Sequence, residues 1–272
     1  MAHWTPDDIP WDQFDPARVD ADVLKLVKAA AMVEKNAADY AAYLGNVFPD
    51  DEVFRKAARR WAEEEVQHGD VLGRWAEMAD PEFDFAQRFE TFKKGFRIPI
   101  ESTSSVRGSR AGELVARCIV EVGTSSYYSA LRDAVDEPVL KAICDRIAGD
   151  EFRHYKLFHS HLRRYQRDEH ASRWSRVKVV LQRTLEAEDD ELSYAYYAAN
   201  NTGEPYRREP NAAAYLGRAS AVYRPDIVRR GVAMAMAAAG LKEDGWLSRV
   251  LSAFAWRGVQ RRRRRFLRLA AS

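Results

Sequence analysis

The sequence predicts an all-α protein, a four-helix bundle with a long crossover between its second and third helices and additional helices after the fourth. Three observations predict it. Apolar residues recur at helical spacing throughout, no segment alternates as a half-buried strand would, and four long amphipathic segments occupy the first 166 residues. The first, from about 21 to 47, carries Val23, Leu26, Val27, Ala30, Ala37, Ala38, Ala41 and Leu44 on one stripe, with Glu34 inside it, and ends before Pro49. The second, about 51 to 78, aligns Phe54, Ala58, Trp61, Glu65, His68, Leu72 and Trp75. An irregular crossover with Pro81, Pro99 and the polar run "ESTSSVRGS" spans the bundle. The third helix, 110 to 134, places Leu114, Cys118, Glu121, Thr124, Tyr128 and Leu131 on one face, and the fourth, 138 to 166, aligns Leu140, Cys144, Ile147, Glu151, His154, Phe158 and His161. A long helix over 171–199, a turn at "NNTGEP", shorter helices split at Pro225 and a last helix over 243–269 follow. The chain thus divides into an N-terminal extension (1–20), the four-helix core (21–166), additional helices packed on it (167–256) and a basic tail (257–272).

Composition narrows the class. At 272 residues, 46% hydrophobic and 31% charged, the chain is long enough for one large core. The longest apolar run, "GVAMAMAAAG", is too short to cross a bilayer, and the acidic start lacks a signal-peptide layout, so no transmembrane segment and a cytoplasmic location are expected. Cys118 and Cys144 cannot build a disulfide framework or a four-thiolate site and read as small core residues. The net charge of +2 hides a seven-arginine, acid-free stretch in the last sixteen residues.

The chemistry lies in the seams. Glu34, Glu65, His68, Glu121, Glu151 and His154 all fall where core residues belong, and a lone buried carboxylate costs several kcal/mol. Two divalent cations, iron or manganese, would neutralise four carboxylates and accept an imidazole each. A Glu and a His three apart on a helix point the same way, so Glu65 with His68 and Glu151 with His154 can each serve one metal. One Glu-x-x-His arises readily by chance on a solvated face. Two of them, each in an apolar seam and each preceded by a seam glutamate, match the ferritin-like di-iron arrangement. His159 lies off the stripe, His161 continues it as a core histidine, and His3 and His170 read as surface residues.

With these residues in place, the chain resembles the soluble acyl-carrier-protein desaturases, a branch of the ferritin-like di-iron oxygenases. "WAEEEVQHGDVL" is similar to that family's W-x-A-E-E-N-R-H-G-D-L-L, and "ICDRIAGDEFRH" to its I-C-x-x-I-A-x-D-E-x-R-H. Glu34 with Tyr40 and Glu121 with Thr124 match its Glu-x5-Tyr and Glu-x-x-Thr. The likeness covers about residues 20 to 165. It implies that Glu65 and Glu151 bridge two irons, that Glu34 and His68 complete one ion, and that Glu121 and His154 complete the other. It also implies that Asp150 and Glu64 hold the outer nitrogens of His68 and His154, that Trp61 supports the ligands, and that Thr124 assists proton delivery; a helix-interior threonine bonded to its own backbone is the plainer account of Thr124. Val66-Gln67 replaces the family's Asn-Arg, and Phe152 stands where a lysine is usual.

The resemblance implies oxygen-dependent oxidation of a fatty acyl chain, with an acyl carrier protein thioester as substrate, a ferredoxin-type electron donor, two irons as cofactor and a homodimer as assembly. A hydroxylase, an N-oxygenase or an aldehyde-deformylating enzyme would use the same scaffold. A peroxidase with a rubredoxin site lacks its cysteines, and a radical-tyrosine subunit would want a tyrosine at Leu72. A non-catalytic iron-binding or storage protein is the reading from another class. Arg261, Arg262, Arg263, Arg264 and Arg265 form either a solvated face or a docking site for an acidic partner. Membrane-surface or nucleic-acid contact is less supported, because no aromatic-basic interleaving or nucleic-acid motif accompanies the run.

Overall fold

The computed structural model describes residues 3–169, 172–186, 190–201 and 203–270; His170, expected at the surface, lies outside them, as do the ends of the extension and tail. All regular structure among the described residues is helical, which is the fold class expected. The first rod is α1 (Ala21–Lys35) continued by α2 (Ala37–Val47), and the second is α3 (Glu52–Ala79). The crossover carries α4 (Phe85–Gly95), and the bundle closes with α5 (Arg110–Ala134) and α6 (Pro138–Glu169). Side chains satisfy the free N–H groups that start each rod: Asp20 accepts from Asp22 and Val23, Asp51 from Phe54, Ser109 from Gly112, and Glu137 from Leu140.

Three expectations about elements are corrected. The single helix over 21–47 is broken at Asn36, whose N–H reaches back to Val33 O at 3.1 Å in a tighter turn while its amide oxygen accepts from Lys93. The break falls two residues after Glu34. The crossover is not irregular throughout, because Asp84 caps a helix whose Phe85, Phe89, Phe92 and Phe96 stack in sequence along one stripe. In place of one helix over 171–199, the described residues form α7 (Arg173–Glu186) and α8 (Asp190–Asn200).

After α8 come α9 (Arg208–Val222), α10 (Pro225–Ala239), which ends at Gly240 with φ +73°, and α11 (Trp246–Ala270). Helix α8 packs on α1, α7 and α10 pack on α5, and α11 lies outermost on α9 and α10. No helix among the described residues is long and apolar enough to cross a membrane.

The core is divided. One apolar cluster contains Leu26, Met32, Leu72, Tyr128 and Ile147, and a second contains Leu44, Phe54, Trp61, Ile119 and Phe158. Between them lies a slice of the bundle that is buried and polar. Gly69 helps set its width: a Cβ there would lie 2.6 Å from the backbone nitrogen of Lys35, so glycine lets α1 and α3 approach closely beside Glu34 and His68.

Candidate metal centre

The polar slice holds all six side chains the spacing singled out. Glu34 comes from the end of α1, Glu65 and His68 from α3, Glu121 from α5, and Glu151 and His154 from α6, each at most 6% exposed. One donor atom from each of Glu34, Glu65, His68 and Glu151 lies within 4.8 Å of the other three, and the same holds for Glu65, Glu121, Glu151 and His154. Glu65 and Glu151 therefore belong to both halves. His68 Nδ1 sits 3.2 Å from Glu65 Oε2, 3.3 Å from Glu151 Oε1 and 4.0 Å from Glu34 Oε2. His154 Nδ1 sits 3.1 Å from Glu65 Oε1, 3.8 Å from Glu121 Oε2 and 3.9 Å from Glu151 Oε2. The imidazole rings are 5.8 Å apart.

Both histidines are held from behind. His68 Nε2 lies 3.0 Å from Asp150 Oδ2, and His154 Nε2 lies 2.9 Å from Glu64 Oε2. An Nε2–H donated to each carboxylate leaves an Nδ1 lone pair facing the cluster. Arg153 ties the two supports together, donating to Asp150 at 2.5 Å and reaching Glu64 at 3.4 Å.

The electrostatics of the slice are those of carboxylates crowded out of water. Burial raises Glu34 well above the usual carboxylate range, with the Glu65 charge adding to it, and burial raises Glu121 likewise, reinforced by Glu151 and Glu65. Burial would also raise Glu65, but hydrogen bonds from Glu34 and His154 hold it well below that range. Burial and the Glu65 charge raise Glu151, yet bonds from His154 and His68 outweigh both. Burial pulls both imidazoles down, but the carboxylates around them hold His68 and His154 well above the usual imidazole range. These directions all favour protons on Glu34, Glu121 and the imidazoles, the same charge compensation that cations would supply. Even so, both oxygens of Glu121 are buried without a hydrogen-bond partner, and Oε1 of Glu151 and Nδ1 of His154 face their charged neighbours at 3.1–3.9 Å without an aligned hydrogen bond. Four carboxylates and two imidazoles with orphaned atoms turned on one another fit a pair of divalent cations with oxygen-rich ligation.

The remaining expected residues fall as follows. The Thr124 hydroxyl donates to Glu151 Oε2 at 2.5 Å and is 3.4 Å from the carbonyls of Val120 and Glu121, so it meets the cluster as well as its own backbone. The indole N–H of Trp61 is buried without a partner and its ring packs edge-on against Phe158, so Trp61 fills space beside the site. Tyr40 donates to Glu191, away from the six. His159 stacks on Tyr155, and His161 packs edge-on against Phe54. Arg261 to Arg265 lie exposed on α11.

Sequence reasoning missed two donors. Tyr128, read only as a seam residue, donates to Glu34 Oε1 at 2.5 Å. Trp4, inside the presumed extension, donates its indole N–H to Asp150 Oδ2 at 2.8 Å and lies parallel to the His68 ring. Gln67 holds Trp4 by its carbonyl at 3.2 Å, so this departure from the family pattern binds the chain's own N-terminal segment. Phe152, the other departure, lies under Arg230.

No family model matches the chain, and no curated protein does. Among solved structures it is similar to DesA2 from Mycobacterium tuberculosis H37Rv, a provisionally assigned acyl-ACP desaturase, with 19% identity over 93% of this chain and 90% of that one and a TM-score of 0.51. At that identity the likeness shows the all-α fold alone; the buried carboxylate and histidine cluster able to hold metal is this chain's own.

Proposed function

We propose that this protein is a di-iron oxidoreductase that uses dioxygen to oxidise a fatty acyl chain, desaturation of an acyl carrier protein thioester being the best-supported reaction. The observation that carries this reading is the convergence of six buried ligand-type side chains, four of whose atoms lack a hydrogen-bond partner. The motif resemblance and the desaturase-type fold support the acyl substrate.

Glu34, Glu65, His68, Glu121, Glu151 and His154 would hold the two ions, with Glu65 and Glu151 common to both donor groups, and manganese is an alternative occupant. Two ferrous ions held there would supply electrons to dioxygen and the oxidising power to remove hydrogen from an unactivated methylene. The chain's own residues do the rest. Asp150 and Glu64 fix the imidazole tautomers, and Tyr128 orients Glu34 by its hydroxyl. Thr124 holds a proton 2.5 Å from Glu151, on the α5 side, where it can be passed inward. Leu72, Ile147, Phe158 and Cys118, each one turn from a ligand and fully buried, exclude water. Forming an alkene while reducing dioxygen to two waters leaves two electrons to be supplied from outside, which is why a ferredoxin-type donor belongs to the proposal.

The test is metal analysis of the purified chain joined to product analysis with acyl carrier protein thioesters and a reduced ferredoxin. About two irons per chain and an alkene product are expected. Glu65→Ala should lose both iron and turnover. Turnover by a metal-free Glu65→Ala protein would end the proposal, and an alcohol in place of an alkene would move it to a hydroxylase.

A further inference from the structure

Helix α11 has two opposite faces of different character. Ser248, Ser252, Val259 and Phe266 form its inner line, with Phe266 seated where Gly217 leaves no room for a Cβ and stacked under Arg218. Half a turn away run Trp246, Val250, Phe254, Arg257, Arg261, Arg264 and Arg268, each three or four residues after the last, all exposed. The first part of that outer line is apolar and aromatic, with Trp246 71% and Phe254 63% exposed. The second part is guanidinium. Of the nine large apolar side chains exposed among the described residues, five lie on α11, so the apolar surface is concentrated there and not scattered. The sequence from Trp246 to the end has eight arginines and no acid.

We propose that the outer face of α11 docks on an anionic lipid surface. Trp246, Val250, Leu251 and Phe254 would lie at the boundary between headgroups and acyl chains, and the arginines would pair with lipid phosphates. Tryptophan and phenylalanine suit that depth because an aromatic ring tolerates both sides of the interface. Charge alone would suit an acidic protein equally well. The apolar half separates the two: Trp246, Val250 and Phe254 lie in line with the arginines on one exposed helix about 37 Å long, the layout by which an amphipathic helix lies along a lipid interface. A bilayer surface matches an apolar zone and a cationic zone along one line without a pocket. Docking of this kind needs no membrane-spanning helix and leaves the metal centre untouched.

The test is flotation of the full chain with vesicles of phosphatidylcholine alone or with phosphatidylglycerol added, at low and high salt. Binding to the anionic vesicles, weakened by salt and nearly absent from neutral ones, is expected. Replacing Arg261 and Arg265 by Gln should weaken partitioning about fivefold each, and Trp246→Ser with Phe254→Ser about tenfold each. All four positions are exposed, so helix content and iron content should stay unchanged, which separates this result from the fate of the di-iron reading. Failure to bind anionic vesicles would overturn the proposal. So would binding that depends on the arginines but not on Trp246 and Phe254, which would mark plain charge capture. Retention of an acidic carrier protein through α11 without vesicle binding, or loss of self-association in the Trp246→Ser/Phe254→Ser variant, would assign the face to a protein partner or a second copy instead.

Discussion

Both carboxylate oxygens of Glu121 are buried and unpartnered, whereas Glu34, its counterpart across the cluster, accepts from Tyr128. In metal-free protein Glu121 is therefore a destabilising residue. Burial raises the Glu121 carboxyl, so folding at neutral pH must load it with a proton; Glu121→Gln keeps the shape, removes that cost and adds an amide donor beside Glu65 and Glu151. It should stabilise the metal-free fold by about 1 kcal/mol or more while lowering metal content. Denaturant titration with and without metal checks both halves, and a variant less stable in the metal-free state would count against the cation reading. The six ligand-type residues were legible in the sequence because helical spacing alone puts an i, i+3 pair on one face. Tyr128 was not, because its hydroxyl meets a residue 94 positions away on another helix.

At the scale of elements, the rods depend on their ends and on one close approach. Asp51 caps α3 and also accepts from the Tyr165 hydroxyl and from Arg164, tying the start of α3 to the far end of α6. Burial would raise the Asp51 carboxyl, but the Phe54 N–H, Tyr165 and Arg164 hold it below the usual range. A depressed folded-state value means stability present above the unfolded value, near pH ~4, and lost as pH falls through the folded one. Asp51→Ala should cost about 0.5–2 kcal/mol at neutral pH, and its deficit relative to wild type should shrink as pH drops below ~4; melts at the two pH values check it. Gly69→Ala attacks the approach of α1 to α3: it should cost about 1–3 kcal/mol and reduce bound iron, since it moves Glu34 from His68. Equal iron in that variant would mean that the approach does not set the site. The limits of α5 could be read where its apolar stripe begins after the polar run 101–109 and stops before Pro138. Helix α4 was equally present in the spacing of Phe85, Phe89, Phe92 and Phe96, but neighbouring prolines and the polar run made the crossover look irregular. The break at Asn36 rests on Lys93, a contact between elements that no local pattern carries.

Across the whole molecule, the first twenty residues do more than precede the bundle. The Asp15 N–H donates to Glu137, which also caps α6 and accepts from Trp75; Trp11 lies under Arg74; Arg146 donates to Asp8 O; and Trp4 reaches Asp150. Residues 3–20 are laid over one side of the candidate metal centre, and the closing contact joins residues 146 positions apart. Nothing in "MAHWTPDDIPW" announces this. Trp4→Phe keeps a ring parallel to His68 and removes one of the donors that hold Asp150, the others being His68 and Arg153. Loss of a hydrogen bond to a buried charge should lower stability by about 1–3 kcal/mol. A support loosened behind a metal-binding histidine should weaken iron binding by roughly tenfold or more. The two effects separate by temperature: iron release to a chelator, followed well below the melting transition, reports the histidine's support and not global unfolding. Faster release from Trp4→Phe at that temperature, with wild-type rates in Trp11→Phe, is the expected pattern, because only Trp4 bonds to the carboxylate behind His68. Equal rates in both variants would reduce the segment to a cover that adds stability without touching the centre.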